Sequence, residues 1–326
     1  MKNIKAWLAL FLCAVLAVSL FTGCGPADRT QSDDGRLRIV ATIFPEYDWV
    51  RQILGDRADR VDLTLLLDSG ADLHSYQPTT QDIVTISGCD LFIYVGGTSD
   101  RWAEDILAQA SNPDMIVLNL MDCLGERAKE EELVEGMQGE EEADEDVPEY
   151  DEHVWLSLKN AELLTGRIRD ALCELDPDHR ETYTANAETY AARLQELDKA
   201  YRSAVEAASV KTLVFADRFP FRYLTDDYGL DYYAAFVGCS AETEASFETI
   251  AFLSSKVEEL GLRSILQIES SDGSIARTVR DNTASKDQEI LTLQSMQSVT
   301  KSAADEGADY LTIMQQNLEI LKQALQ

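Results

Sequence analysis

Two hydrophobic periods alternate along this chain. The stretch "LRIVATIFP" is apolar and β-branched up to Pro45 and reads as a buried strand. In "YDWVRQILGD" the apolar positions Trp49, Val50, Ile53 and Leu54 fall on one helical face, with Gly55 as a stop. The alternation continues with "RVDLTLLLD" as strand, "TTQDIVTISG" as helix and "DLFIYVGG" as strand. "DRWAEDILAQA" then reads as helix and "MIVLNLM" as strand. Near-continuous apolar strands separated by amphipathic helices predict a parallel sheet covered on both faces.

The pattern breaks at residues 126–152, where fourteen acids accompany few apolar groups. Such a composition buries too little surface to order itself, so a mobile acidic loop is expected. "VWLSLKNAELLTGRIRDALCELD" resumes as helix. Asp176-Pro177 has the form of an N-cap followed by proline at the first helical position. Beyond it Tyr183, Ala187, Tyr190, Leu194, Leu197, Tyr201 and Ala204 repeat at spacings of four and three, which predicts one long helix with a single apolar stripe.

The second half repeats the first. "VKTLVFA", "RSILQIES" and "EILTL" read as strands and "LDYYAAFV" as an extended segment. Helices are predicted at "FPFRYLTDDYG", "SFETIAFLSSKVEELG", "SIARTVRDN" and "DYLTIMQQNLEILKQAL". The expected fold class is α/β: two α/β lobes with mostly parallel sheets, joined by one long backbone helix. The expected divisions are an N-terminal lobe over 37–175, a linking helix over 176–208 and a C-terminal lobe over 209–326. A chain of 326 residues also exceeds the size at which one core usually stops growing.

Residues 1–23 stand apart: Lys2 and Lys5, an apolar run, then "LFTGCG". This is the layout of a secretory signal ending in a lipobox, with cleavage before Cys24 and lipid on its thiol. The polar stretch 24–36 follows as a flexible tether. The expected location is therefore the extracytoplasmic face of a cell membrane, reached through lipid on Cys24. The chain carries 28 basic and 59 acidic residues, a formal charge of −31. So acidic a surface repels phosphate backbones, which argues against a nucleic-acid partner, and it concentrates cations. Cys89, Cys123, Cys173 and Cys239 form no C-x-x-C pair. They are open to disulfide pairing in an exported protein or to burial as isolated thiols.

Ligands of open α/β sheets sit at the carboxyl ends of strands, and between two lobes the cleft is the default site. Four groups fall at such positions: His74, His153, Asp217 directly after "TLVFA", and Glu269 directly after "SILQI". Each alone has a plainer reading, as a solvated histidine or an acid capping the next helix. Together they are two imidazoles and two carboxylates, a set suited to a divalent first-row cation. His179, in "DPDHRETY", reads as a surface residue.

Around these residues the chain resembles the solute-binding lipoproteins of zinc and manganese ABC importers, the ZnuA/TroA-like family. "GADLHSYQPTTQDI" is similar to the family's stretch around its first ligand histidine, and "DEHVWLSLKNA" to that around its second. "YTANAETYAARLQELD" resembles the start of the family's backbone helix. The resemblance implies two lobes bridged by a helix with a metal between them, captured without catalysis and delivered to an ABC permease by a monomer. Zn2+ is the expected cation, with Mn2+ as the alternative. Family members carry a loop rich in His and acids before the second histidine; here it is acidic only.

Departures touch the other two ligands. No His or Glu stands where the family's third ligand follows its strand. Asp217 is the nearby carboxylate, although alignment on Tyr223-Leu224 puts Arg218 at that position. Glu269 matches the glutamate version of the fourth ligand; the later position used elsewhere falls near Gln297. These changes leave a surface adhesion module with a degenerate metal site as the alternative function. A metal-dependent hydrolase is a weaker one, since no H-E-x-x-H arrangement is present.

Overall fold

The computed structural model describes residues 35–138, 149–240 and 244–326. The leader, Cys24, nearly all of the tether and the middle of the acidic stretch lie outside the described residues. Among the described residues no helix is long and apolar enough to cross a membrane.

The first sheet has the order β2-β1-β3-β4, with β1 at Leu37–Ala41, β2 at Val61–Leu65, β3 at Leu91–Tyr94 and β4 at Ile116–Asn119. The second repeats the arrangement as β6-β5-β7-β8, with β5 at Thr212–Phe219, β6 at Asp231–Val237, β7 at Ser264–Ile268 and β8 at Glu289–Leu293. Every pairing in both sheets is parallel. In each sheet the chain starts in the middle, moves to one edge, then crosses to the other side. All four carboxyl ends of each sheet therefore open at one rim.

Two boundaries differ from the sequence reading. The first strand stops at Ala41, and Pro45 sits in the opening turn of helix α1, Phe44–Leu54. That turn has no use for the missing N–H, so the ring is tolerated there. β5 continues through Asp217 to Phe219, with a register shift between Phe215 and Arg218. Asp217 is therefore an irregular position inside a strand rather than the first residue after one. At this shift β5 aligns with β7 only at Phe215 and Leu266, and Asp217 Oδ2 accepts the Ile268 N–H at 3.3 Å. A side-chain carboxylate thus takes up a donor that the ladder would otherwise leave unpaired.

The long helix spans Arg180–Ala207, preceded by a short turn at Pro177–His179. Asp176 does not cap it; its carboxylate instead accepts from Arg57, Tyr183 and His179. The buried stripe runs as expected from Tyr183 to Tyr201 and ends on Val205, with Ala204 only partly covered. Its residues join one hydrophobic cluster with side chains of both sheets, among them Ile39, Phe92, Phe215 and Leu266. The final helix, Tyr310–Ala324, returns to the first half. There Tyr310 donates its N–H to Asp48 and its hydroxyl to the carbonyl of Trp155, and its ring packs edge-on against Trp49 at 5.3 Å.

The acidic stretch is only in part the loop expected. Glu130 bridges Tyr150, the Asp151 N–H donates to Lys129, and Gln138 bridges Phe236 on the edge strand β6. Its ends are ordered by backbone pairing and by partners in the second half, so composition alone misjudged them.

Candidate metal centre

His74 follows β2 on a single tight turn, Leu73–Ser75. Leu73 is fully buried and anchors the turn, while the Asp72 carboxylate accepts the His74 N–H at 3.0 Å. His153 follows β4 through the acidic stretch and is fully buried. Asp151 Oδ1 accepts both its backbone N–H, at 2.8 Å, and its ring Nδ1–H, at 2.9 Å. Trp155, just beyond, donates its indole N–H to the carbonyl of Ser295 and so locks this segment to the second half.

The two imidazoles meet, with Nε2 of His74 3.2 Å from Nε2 of His153. Their other nitrogens face acceptors. Nδ1 of His74 lies 2.8 Å from Ser99 Oγ and 3.5 Å from Glu152 Oε2. Glu152 Oε2 is buried with no hydrogen-bond partner, while Oε1 accepts the Ser99 N–H. The Asp151 carboxylate keeps a proton on Nδ1 of His153, and Ser99 Oγ is the hydrogen-bond partner of His74 Nδ1; with Nδ1 the donor on both rings, each Nε2 carries its lone pair. Both lone pairs thus aim at one point, an arrangement that is repulsive unless a proton or a cation stands between them.

The electrostatics agree with that reading. Burial, then the charge of His153, pushes His74 down to about 3. Burial also opposes a charge on His153, but Asp151, with Glu131 and Glu152, outweighs it and holds His153 above the usual value.

Two further groups complete the surroundings. Cys239 follows β6, and its Sγ lies with the ring nitrogens of His74 and His153 in a group whose ligand atoms are all within 4.8 Å of one another. Gln297 follows β8, is 4% exposed, and has its amide nitrogen 2.9 Å from His153 Nε2; its Oε1 is buried without a partner. The four residues follow β2, β4, β6 and β8, two from each sheet. Gly238 makes the approach possible: a Cβ there would lie 2.9 Å from both His153 Cε1 and the Phe219 carbonyl oxygen. Gly97, at φ +77°, does the same for Glu152, whose Oε1 would stand 2.4 Å from a Cβ.

Asp217 and Glu269 are placed differently. Neither belongs to that group. Besides Ile268, Asp217 accepts the N–H of Arg218. Glu269 accepts the Ser295 N–H at 2.7 Å and the Ser295 hydroxyl at 2.8 Å, shaping the loop that carries Gln297. Arg218 donates to Asp72 at 2.7 Å and to the Ser240 carbonyl at 3.3 Å, tying the His74 turn to the Cys239 loop. A cleft of about 470 Å³, lined by Asp72, His74, Asp217 and Arg218, opens onto the site. The larger groove of about 780 Å³ is lined by Arg127, Lys159 and Arg167 and includes none of the four residues.

Cys239 is not among the residues expected from sequence, although "GCS" directly after "LDYYAAFV" occupies a strand carboxyl end, the position expected for Asp217. Asp151, Glu152 and Glu131, which accepts the Cys239 N–H, were hidden among the fourteen acids. Cys89, Cys123, Cys173 and Cys239 are all free thiols. His179 is partly exposed and pairs with Asp176.

Comparison with known proteins agrees with the geometry. The family model described as the zinc-uptake complex component A, periplasmic (ZnuA), matches residues 39–324. The chain belongs to this family. It is 32% identical to the zinc-binding lipoprotein AdcA of Streptococcus pneumoniae, a match covering 99% of this chain and 61% of that protein. The chain thus spans about three-fifths of that relative's length. It is 30% identical to the high-affinity zinc uptake system protein ZnuA of Bacillus subtilis, over 98% of each chain. Among solved structures, the Zn(II)-bound ZnuA-like domain of S. pneumoniae AdcA superposes with a TM-score of 0.69 at 28% identity, covering 89% of this chain and 99% of that one.

Proposed function

We propose that this protein captures a zinc ion between its two lobes and delivers it to the permease of an ABC importer on the extracytoplasmic face of a membrane, where lipid on Cys24 holds it. Zinc here is cargo, and no reaction is catalysed. The observation that carries this reading is the approach of the two imidazoles, Nε2 to Nε2 at 3.2 Å, each ring with a hydrogen-bond partner at its Nδ1. Both imidazoles must be neutral at Nε2 to ligate, and a carboxylate such as Asp151 at Nδ1 of His153 is the kind of group that orients and polarises a ligand histidine. The relatives named for zinc support the choice of cation. So does the donor set, since imidazole favours zinc over manganese.

Asp217 and Glu269 would have to release the Ile268 and Ser295 amides before binding a cation. We read both as framework that shapes the loops around the site.

The test is metal analysis of protein purified without chelator, followed by zinc titration. The parent is expected to bind one zinc per chain, and His74→Ala and His153→Ala to lose stoichiometric binding. Equal binding by either variant would remove these histidines from the site.

A further inference from the structure

We infer that Cys239 binds the cation as a thiolate and that the Gln297 amide oxygen supplies the fourth ligand, so that the centre is two imidazoles, one thiolate and one amide. This deepens the reading above and rests on it.

The placement of Cys239 is specific. Of the four thiols among the described residues it alone lies with imidazole nitrogens, within 4.8 Å of those of His74 and His153. Cys89 and Cys173 instead pack into the apolar core. Its loop is fixed from three sides. The Glu131 carboxylate accepts the Cys239 N–H at 3.1 Å, Arg218 holds the next carbonyl, and Gly238 lets the chain pass against the His153 ring. A core thiol needs none of these restraints. The neighbouring carboxylates Glu131, Asp151 and Glu152 would disfavour a bare thiolate, and a divalent cation reverses that balance. On binding, the S–H proton leaves to solvent as the sulfur–metal bond forms.

Gln297 is the second, independent observation. Its side chain is buried, yet Oε1 has no partner. A buried amide oxygen left unpaired bears its full desolvation penalty. Half a turn of the amide exchanges its two ends and presents Oε1 toward His153 Nε2, where a cation would accept it. Glu269 fixes this loop through Ser295, so the amide is held ready. Arg218, which alignment sets at the family's third ligand, cannot bind a cation. Its guanidinium instead joins the His74 turn to the Cys239 loop, and the thiol takes over as donor. A soft sulfur ligand also sharpens the preference for zinc over manganese.

The test uses cobalt(II) as a spectroscopic stand-in for zinc, added to the full chain in detergent. The parent is expected to bind one cobalt with a strong sulfur-to-metal charge-transfer band in the near ultraviolet. Cys239→Ser should still bind one cobalt, without that band and at least about 100-fold more weakly, beyond the loss typical of outer-sphere changes. Gln297→Leu should keep the band and bind about tenfold more weakly. One equivalent of cobalt bound by the parent with no such band, or a band that persists in Cys239→Ser, overturns the inference and leaves the His74–His153 site standing. No cobalt or zinc binding by the parent overturns the site itself. Because the band is read on the parent, a variant that fails to fold does not blunt the test.

Discussion

Asp151 orients the candidate centre from outside the four side chains that converge on it. One carboxylate oxygen accepts both the backbone and the ring N–H of His153, so it sets the ring's orientation and its tautomer together. Asp151→Asn keeps the size and removes the charge. Zinc affinity measured by chelator competition should fall about 10–100-fold with the fold unchanged, as for other partners of ligand histidines. Affinity equal to the parent's would mean that the charge at Nδ1 plays no part. The histidines were legible in sequence because their side chains are rare and were flanked by turn and aromatic residues. Asp151, Glu152 and Glu131 were not, because they stand in a run of acids where type alone cannot separate a buried acceptor from a solvated one. Cys239 was missed for a related reason: a single cysteine reads as a small apolar residue until its neighbours are known.

At the scale of elements, the alternation of strands and helices was plain in the periodicity, and all eight strands lie where the apolar runs placed them. What the pattern could not show was which strand ends carry donors. Asp217, at the irregular register of β5, accepts the Ile268 amide, and Glu269 accepts the Ser295 amide in the loop after β8. The entry to helix α1 offers a separate test. Glu46 is fully buried and folds back to accept the Thr42 and Ile43 N–H groups, and its Oε1 has no partner. Burial, then the charge of Asp100, pushes it up to about 8 from an ordinary 4.5. The folded chain therefore holds this proton more tightly than the unfolded chain. The resulting stability is complete below pH 4.5 and drains away as pH rises to about 8. Over that window the metal-free parent should lose up to about 1.4 kcal/mol per pH unit from this group. Thermal unfolding followed against pH should show a flatter profile for Glu46→Gln; identical slopes would contradict the assignment.

Across the whole molecule, the long helix and the returning C-terminal helix make one core of both lobes, and the site sits where the carboxyl rims of the sheets face one another. Arg218 joins the rims directly, with Asp72 on one side and the Ser240 carbonyl on the other. Arg218→Gln should release zinc several-fold faster when chased with chelator, because the His74 turn and the Cys239 loop lose their shared restraint; an unchanged release rate would make the pair incidental. The architecture was readable from chain length, the repeated α/β pattern and the stripe from Tyr183 onward. The contact between the rims was not, since it depends on distances between residues far apart in sequence. The most direct measurement of the central claim is anomalous diffraction at the zinc edge from zinc-loaded crystals. The account predicts one peak at about 2.0–2.1 Å from Nε2 of both His74 and His153. A stoichiometric zinc peak elsewhere, with the two imidazoles left without metal, would contradict it.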